Sequence, residues 1–226
     1  MTNKTNAFDG VEPFDGRHES RNGQDHDELA TAISGTLATL ERVRPTTVSL
    51  SELTRIGEEL LHALSQDLNA EDLRDTPTRF AKWWKEFLEY DPGDLDRSFE
   101  FTHSAQLVAI SGIRVWSICA HHLLPFWCDV SIGYVPRETV LGLSKFARCA
   151  HKHSHRPQLQ ERLCGDIAHE IEQLSGSPDV FVVARGEHLC MTMRGIRSGG
   201  VVTSTVVRGA FEVDAMLRSE FMRIAF

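Results

Sequence analysis

No run of 18 apolar residues occurs anywhere in this 226-residue sequence, so a helix able to cross a bilayer is not expected. Met1 to Glu12 holds no apolar stretch of the kind a secretory leader needs, and neither targeting nor membrane association is expected. A basic excess is missing too. Twenty-four Lys and Arg against 32 Asp and Glu leave a net charge of −8, which excludes a protein whose main business is coating nucleic acid, because counterion release needs clustered cations. A small anionic ligand stays compatible, since a cleft can be basic while the whole is acidic. An even cysteine set is also absent. The five cysteines, at 119, 128, 149, 164 and 190, suit free thiols or metal ligands better than a disulfide framework, and they point to the cytoplasm. Internal repeats and low-complexity runs are lacking beyond the N-terminal tail.

What is present is the composition of an ordinary globular protein, 41% hydrophobic and 25% charged. The length fits one domain, or one domain with an appendage. Residues 1–28 carry three basic and seven acidic side chains and almost nothing to bury, so they read as a disordered acidic tail that holds half of the net charge. Residues 29–92 read as a helical section. Leu29, Ile33, Leu37 and Leu40 give one helix over about 28–43, and Ser49 with Glu52 forms a capping box ahead of Leu53, Ile56, Leu60 and Leu64. A third helix opens at Thr76-Pro77, with Thr76 as N-cap.

From 93 to 226 the pattern turns to strands. Residues 106–119 predict two short strands around Ser111-Gly112, and 129–135 a further strand. Helices are predicted over 143–154 and 158–175, the second with Leu159, Leu163, Ile167 and Ile171 at four-residue steps. Strands near 179–185, 188–194 and 201–212 and a C-terminal helix from Asp214 complete the chain. The class is α+β, an antiparallel sheet with a helix pair on one face, preceded by N-terminal helices.

The sharpest chemical signal is Cys119-Ala120-His121-His122, where Cys119 and His122 can converge on one metal ion. On a strand through 188–194, His188 and Cys190 would share a face, making Cys190 a third ligand. Two thiolates and one imidazole leave an open position, which is the pattern of a catalytic rather than a closed zinc site. The competing reading takes both thiols as small buried hydrophobes. Cys128, Cys149 and Cys164 read as packing residues, and His151, His153 and His155 as an exposed helix end, because residues two apart in a helix do not share a face. Arg79 with Lys82, and Ser144-Lys145 with Arg148, sit at helix starts that favour phosphate, and Arg194 follows close behind Cys190. Each is an ordinary surface charge on its own; together they suit a polyphosphate. Gln160-Glu161 offers a carboxylate suited to the adjacent N–H donors of a guanine edge.

Five segments in order then carry a resemblance: DTPTRFAKWW at 75–84, CAHHLLPF at 119–126, GYVPRETVLGLSKFAR at 133–148, RPQLQERL at 156–163 and HLCMTMRGIR at 188–197. From about Leu50 onward the chain resembles the GTP cyclohydrolase I family, zinc enzymes that convert GTP and water to 7,8-dihydroneopterin triphosphate and formate. The resemblance implies Cys119, His122 and Cys190 as zinc ligands, and His121 and His188 as active-site histidines. It implies Gln160 and Glu161 as the guanine-recognising pair, Arg79, Lys82, Lys145, Arg148 and Arg194 as triphosphate contacts, and Ser144 near the ribose. It also implies a T-fold-like sheet that closes into barrels by assembly, commonly a homodecamer of two pentamers, with sites at subunit interfaces. Such a product feeds folate, biopterin and deazaguanine synthesis. Two departures stand out: Ala120 replaces a usual Glu, and the segment after Arg194, IRSGGVVTSTVVRGAF, is altered in length and polarity, with Arg208 where an apolar residue is usual. The alternatives are a related deazaguanine-type enzyme with a cysteine nucleophile and NADPH, for which zinc has no use, and a non-catalytic nucleotide-binding homologue.

Overall fold

Val180 to Ala184 is apolar at every position, the pattern of a strand covered on both faces. The computed structural model describes residues 47–95, 98–100 and 107–226, all within the unit Thr47–Phe226. The acidic tail and the helix expected over 28–43 lie outside the described residues. Two helices come first, α1 (Leu50–Ala63) and α2 (Thr76–Leu88), then β1 (Ser98–Glu100), β2 (Val108–Cys119), β3 (Pro125–Tyr134) and β4 (Thr139–Leu141). They are followed by α3 (Leu143–Ser154), β5 (Pro157–Gln158), α4 (Gln160–Ser175), β6 (Val180–His188), α5 (Leu189–Thr192), β7 (Val202–Val207), α6 (Ala210–Val213) and α7 (Ala215–Ala225).

The main sheet has the order β5-β2-β3-β6-β7; β1 pairs with β4 separately. Every pairing is antiparallel except the two-residue β2–β5 contact, so the α+β, antiparallel expectation holds. Side chains alternate across the pleat. Val180, Val182 and Ala184 of β6 therefore pack with Phe146, Cys149, Leu163 and Ile167 of the α3–α4 pair on one face. Phe181 and Val183 pack with Phe211 and Phe221 on the other. The C-terminal helix thus covers the second face, where Phe221 lies so close to Gly133 that a Cβ there would meet its ring at 2.5 Å.

Four local expectations need correction. The two short strands around Ser111-Gly112 are one strand, β2, with a register shift between Ile110 and Ile113; Gly112, at φ +72°, takes the left-handed conformation that lets a bulge bend the strand without ending it. The N-cap of α2 is Asp75, with Thr76 as first helical residue. The last predicted strand stops at Val207 and gives way to α6. The strand predicted over 188–194 is instead the end of β6 followed by the single turn α5. Beyond the pair Phe126↔His188 the next residue of β3 is Pro125, which has no N–H to offer, and β7 pairs with β6 only up to Gly186. The backbone after His188 satisfies itself locally, with Met193 N donating to Leu189 O. In α1 Ser49 is the N-cap as expected, Glu52 N donating to its Oγ at 3.2 Å, yet Ile56, Leu60 and Leu64 are exposed.

Candidate metal centre and adjoining cleft

Cys119 ends β2, and the chain turns at once into β3. Leu123 N donates to Cys119 O and Cys119 N to Leu124 O, both at 2.8 Å. Closing the turn puts Leu123 at φ +53°, a left-handed conformation that costs a non-glycine residue about 1 kcal/mol. The tight turn carries His122 back over Cys119, Nδ1 standing 4.0 Å from Sγ. The turn α5 brings in Cys190, and the three donor atoms lie within 4.8 Å of one another. The metal group inferred from spacing is assembled, though by a helical turn and not by a shared strand face. Burial and the adjacent Cys119 sulfur raise the Cys190 thiol above its ordinary range. That repulsion is one a divalent cation cancels. Arg194 Nη1 donates to His122 Nε2 at 2.8 Å; because a guanidinium only donates, the neutral ring carries its proton on Nδ1.

Beside this group opens a cleft of about 460 Å³ lined by Cys119, His121, Gln160, Glu161, His188, Cys190 and Arg194, with Gln158, Met191 and Ile196. Small-molecule sites typically span ~300–1,000 Å³, so the cleft is of small-molecule size. His188 stacks on Phe126, ring centroids 4.4 Å apart and planes 4° from parallel. Burial lowers its pKa, with Glu161 opposing. Its Nε2 lies 3.0 Å from Gln160 Oε1. The amide orientation of Gln160 is fixed, since its Nε2 donates to Ala184 O at 2.9 Å and Val202 O at 3.1 Å. His188 must therefore be the donor through Nε2, which leaves Nδ1 as the acceptor of the neutral ring. Gln160 is 1% exposed, and its side chain is spent on His188, the middle of β6 and the start of β7. Glu161 stays exposed, accepting from Ser204 Oγ at 3.4 Å.

The other predicted residues lie elsewhere in the chain. Lys145, 4% exposed, reaches back to Asp94 O, and Arg148 Nη1 donates to Pro92 O at 2.7 Å. Ser144 is exposed in the first turn of α3. On α2, Arg79 Nη2 donates to Asp72 O at 3.0 Å and Thr76 Oγ1 at 2.9 Å, and Lys82 points to solvent. None of these five lines the cleft. Sequence reasoning missed Phe126 and Gln158. The first lies directly across the β3–β6 ladder from His188, a pairing that only the register reveals. Gln158 is wholly buried, its Nε2 donating to Asp166 Oδ2 at 2.9 Å.

Fold and site together define a class: an α+β protein with a Cys₂His group at the mouth of a cleft of small-molecule size. A family model described as GTP cyclohydrolase I matches residues 53–225. The GTP cyclohydrolase 1 of Hyperthermus butylicus is 46% identical over 178 residues, covering 78% of this chain and 91% of that protein. Those of Clostridium perfringens (42%, 73% and 91%) and Bacillus subtilis (39%, 77% and 95%) are similar over the same core. A solved structure of the archaeosine synthase QueF-Like in the apo form matches 46% of this chain at 22% identity and a TM-score of 0.34, too distant to carry an argument. The chain belongs to the GTP cyclohydrolase I family.

Proposed function

We propose that this protein is a zinc-dependent GTP cyclohydrolase I, opening the imidazole ring of GTP with water, releasing formate and rearranging the remainder to 7,8-dihydroneopterin triphosphate. The observation that carries this reading is the Cys119–His122–Cys190 group set against a cleft that holds both His188 and Glu161. Two thiols and an imidazole are a donor set zinc prefers, and these three residues would hold it. When bound, zinc supplies the Lewis acidity that brings water deprotonation from about 15.7 to about 7.

The remaining work falls to side chains of this chain. Glu161 accepts the N–H donors of the guanine edge. His188, its Nε2–H held by Gln160, takes and returns protons at Nδ1, so it must load a proton before it can donate to the purine nitrogen that gains charge as carbon 8 is attacked. Gln160 orients that ring instead of reading the base. His121, exposed at the cleft, and Ser144, brought near the ribose by a neighbouring chain, serve the later proton transfers. Were zinc held at His122 Nδ1, the ring proton would sit on Nε2, and Arg194 would be free to bind phosphate.

A triphosphate carries about four negative charges, and such charge-assisted contacts are the strong ones. One arginine at the cleft does not meet that load. Arg79 and Lys82, exposed on α2, supply part of the rest in a T-fold assembly, a decamer of two pentamers, in which neighbouring chains bring this helix to the cleft; Lys145 and Arg148 join them by exchanging their contacts with Asp94 O and Pro92 O for phosphate. The exposed stripe Ile56, Leu60 and Leu64 supports assembly. Free thiols throughout the described chain fit the cytoplasm, and no described helix is long and apolar enough to cross a membrane.

The test is direct. Zinc-replete protein incubated with GTP and then oxidised should give pterin fluorescence and one formate per GTP consumed. Silence at full metal occupancy overturns the reading.

A further inference from the structure

A second cluster of metal-ligating side chains lies away from the cleft, between the two helices that cover the sheet. Cys149 and His153 are four residues apart on α3 and so share one helix face. Glu170 faces them from α4. Cys149 Sγ lies 3.6 Å from Glu170 Oε2, His153 Nε2 contacts the same oxygen, and all three donor atoms fall within 4.8 Å of one another. We propose that Cys149, His153 and Glu170 form a second metal site, for a zinc-type divalent cation that clamps α3 to α4.

Three observations support it beyond proximity. The donor set mixes thiol, imidazole and carboxylate, all of which zinc accepts, and two of the three are anionic when ligating. The site is enclosed: Cys149 has no exposed surface and the side chains of His153 and Glu170 are 15% and 13% exposed, where hydrogen bonds alone leave a thiol with weak partners. The carboxylate is also oriented from outside, Lys152 Nζ contacting Glu170 Oε1. Oε2, the oxygen shared by Cys149 and His153, is thereby left as the coordinating atom, and a ligating carboxylate held in this way by a further hydrogen bond is a recurrent feature of metal sites. Metal binding forms a sulfur–metal bond at the expense of the Cys149 S–H, whose proton leaves to solvent. The histidine run is therefore not an exposed helix end. His155 stacks on Tyr90 with centroids 4.0 Å apart, and His153 points between the helices.

The test uses the full chain carrying His122→Ala and Cys190→Ala, which removes two accessible donors of the first group. Titration with Co²⁺ should give one equivalent bound, with a thiolate-to-cobalt charge-transfer band in the near ultraviolet. Adding His153→Gln should abolish the band. Absence of the band in the double variant, or its persistence after His153→Gln, overturns the proposal. As a second variant, the near-isosteric Glu170→Gln in the otherwise unchanged chain should lower zinc content by one equivalent, and an unchanged content overturns it equally. Neither outcome depends on whether the first group is catalytic.

Discussion

Among the described residues two groups of three donor atoms lie close enough to share one ion, yet they are built in opposite ways. Cys119, His122 and Cys190 come from three short pieces: a strand end, a turn strained at Leu123 and a single helical turn. Cys149, His153 and Glu170 come from two long helices packed side by side. The first group therefore stands at the mouth of a cleft with His122 exposed, while the second is covered by the helix pair and the sheet. The pKa directions follow: burial, assisted by Glu170, holds the Cys149 thiol well above its ordinary value, whereas the half-exposed Cys190 is raised by a neighbouring sulfur as well as by burial. Similar donor chemistry is thus set beside an open cleft where it is built on loop and turn ends, and inside the helix layer where it joins two helices.

The largest effect that tests this contrast comes from the cleft side. Cys190→Ser should abolish formate release and leave the unfolding midpoint of the metal-free protein nearly unchanged, because Cys190 packs only at the margin of the core. His188→Ala should keep the metal and lose about 10²–10⁴-fold in kcat, the range for a lost acid–base group. A His188 variant of wild-type rate, or a Cys190 variant that still turns over GTP, would break the assignment of chemistry to this end of β6.

A smaller effect is expected between the helices, and it should appear in stability. Burial disfavours the charged form of Glu170, but hydrogen bonds from His153 and Lys152 outweigh it and bring the carboxyl from 4.5 down to about 2. A depressed folded-state pKa contributes stability that is complete above the unfolded value and is lost as pH falls through the folded one. Metal-free protein should therefore lose on the order of 2 kcal/mol between pH 4.5 and about 2 from this group. In Glu170→Gln that contribution is absent, and denaturant melts of the two proteins should converge toward low pH. Parallel curves over this window would show that Glu170 is not held by its partners.

The same contrast explains what was legible beforehand. Helix α3 falls on the predicted 143–154 and the mixed α+β class was readable, because apolar periodicity records which face is buried. The Cys-x-x-His pair was legible too, since a three-residue separation brings the two side chains near in most turns. What escaped depended on partners distant in sequence. The fate of Gln160 is decided by Ala184 and Val202, 24 and 42 residues away. The end of β6 is decided by the proline at the start of β3, and the second donor group by the crossing of α3 and α4. A strand and a single turn were confused at 188–194 because His188-Leu189-Cys190 alternates polar and apolar residues in either conformation.

The smallest effect concerns Ala120, the position at which the family resemblance implies a Glu. Ala120 is exposed, and its backbone N–H, donating to Gln158 O at 3.0 Å, already fixes the turn's entry. A carboxylate placed there meets water, so Ala120→Glu should alter stability by no more than about 0.5 kcal/mol, as for most surface changes. Activity should shift by less than about threefold, since supporting groups around a metal matter by about 10–100-fold only when they hold a ligand in place, and Arg194, not residue 120, contacts His122. A tenfold or larger gain in kcat with unchanged metal content would show that the cleft lacks a carboxylate it needs, and would make the loop-held group the less finished of the two.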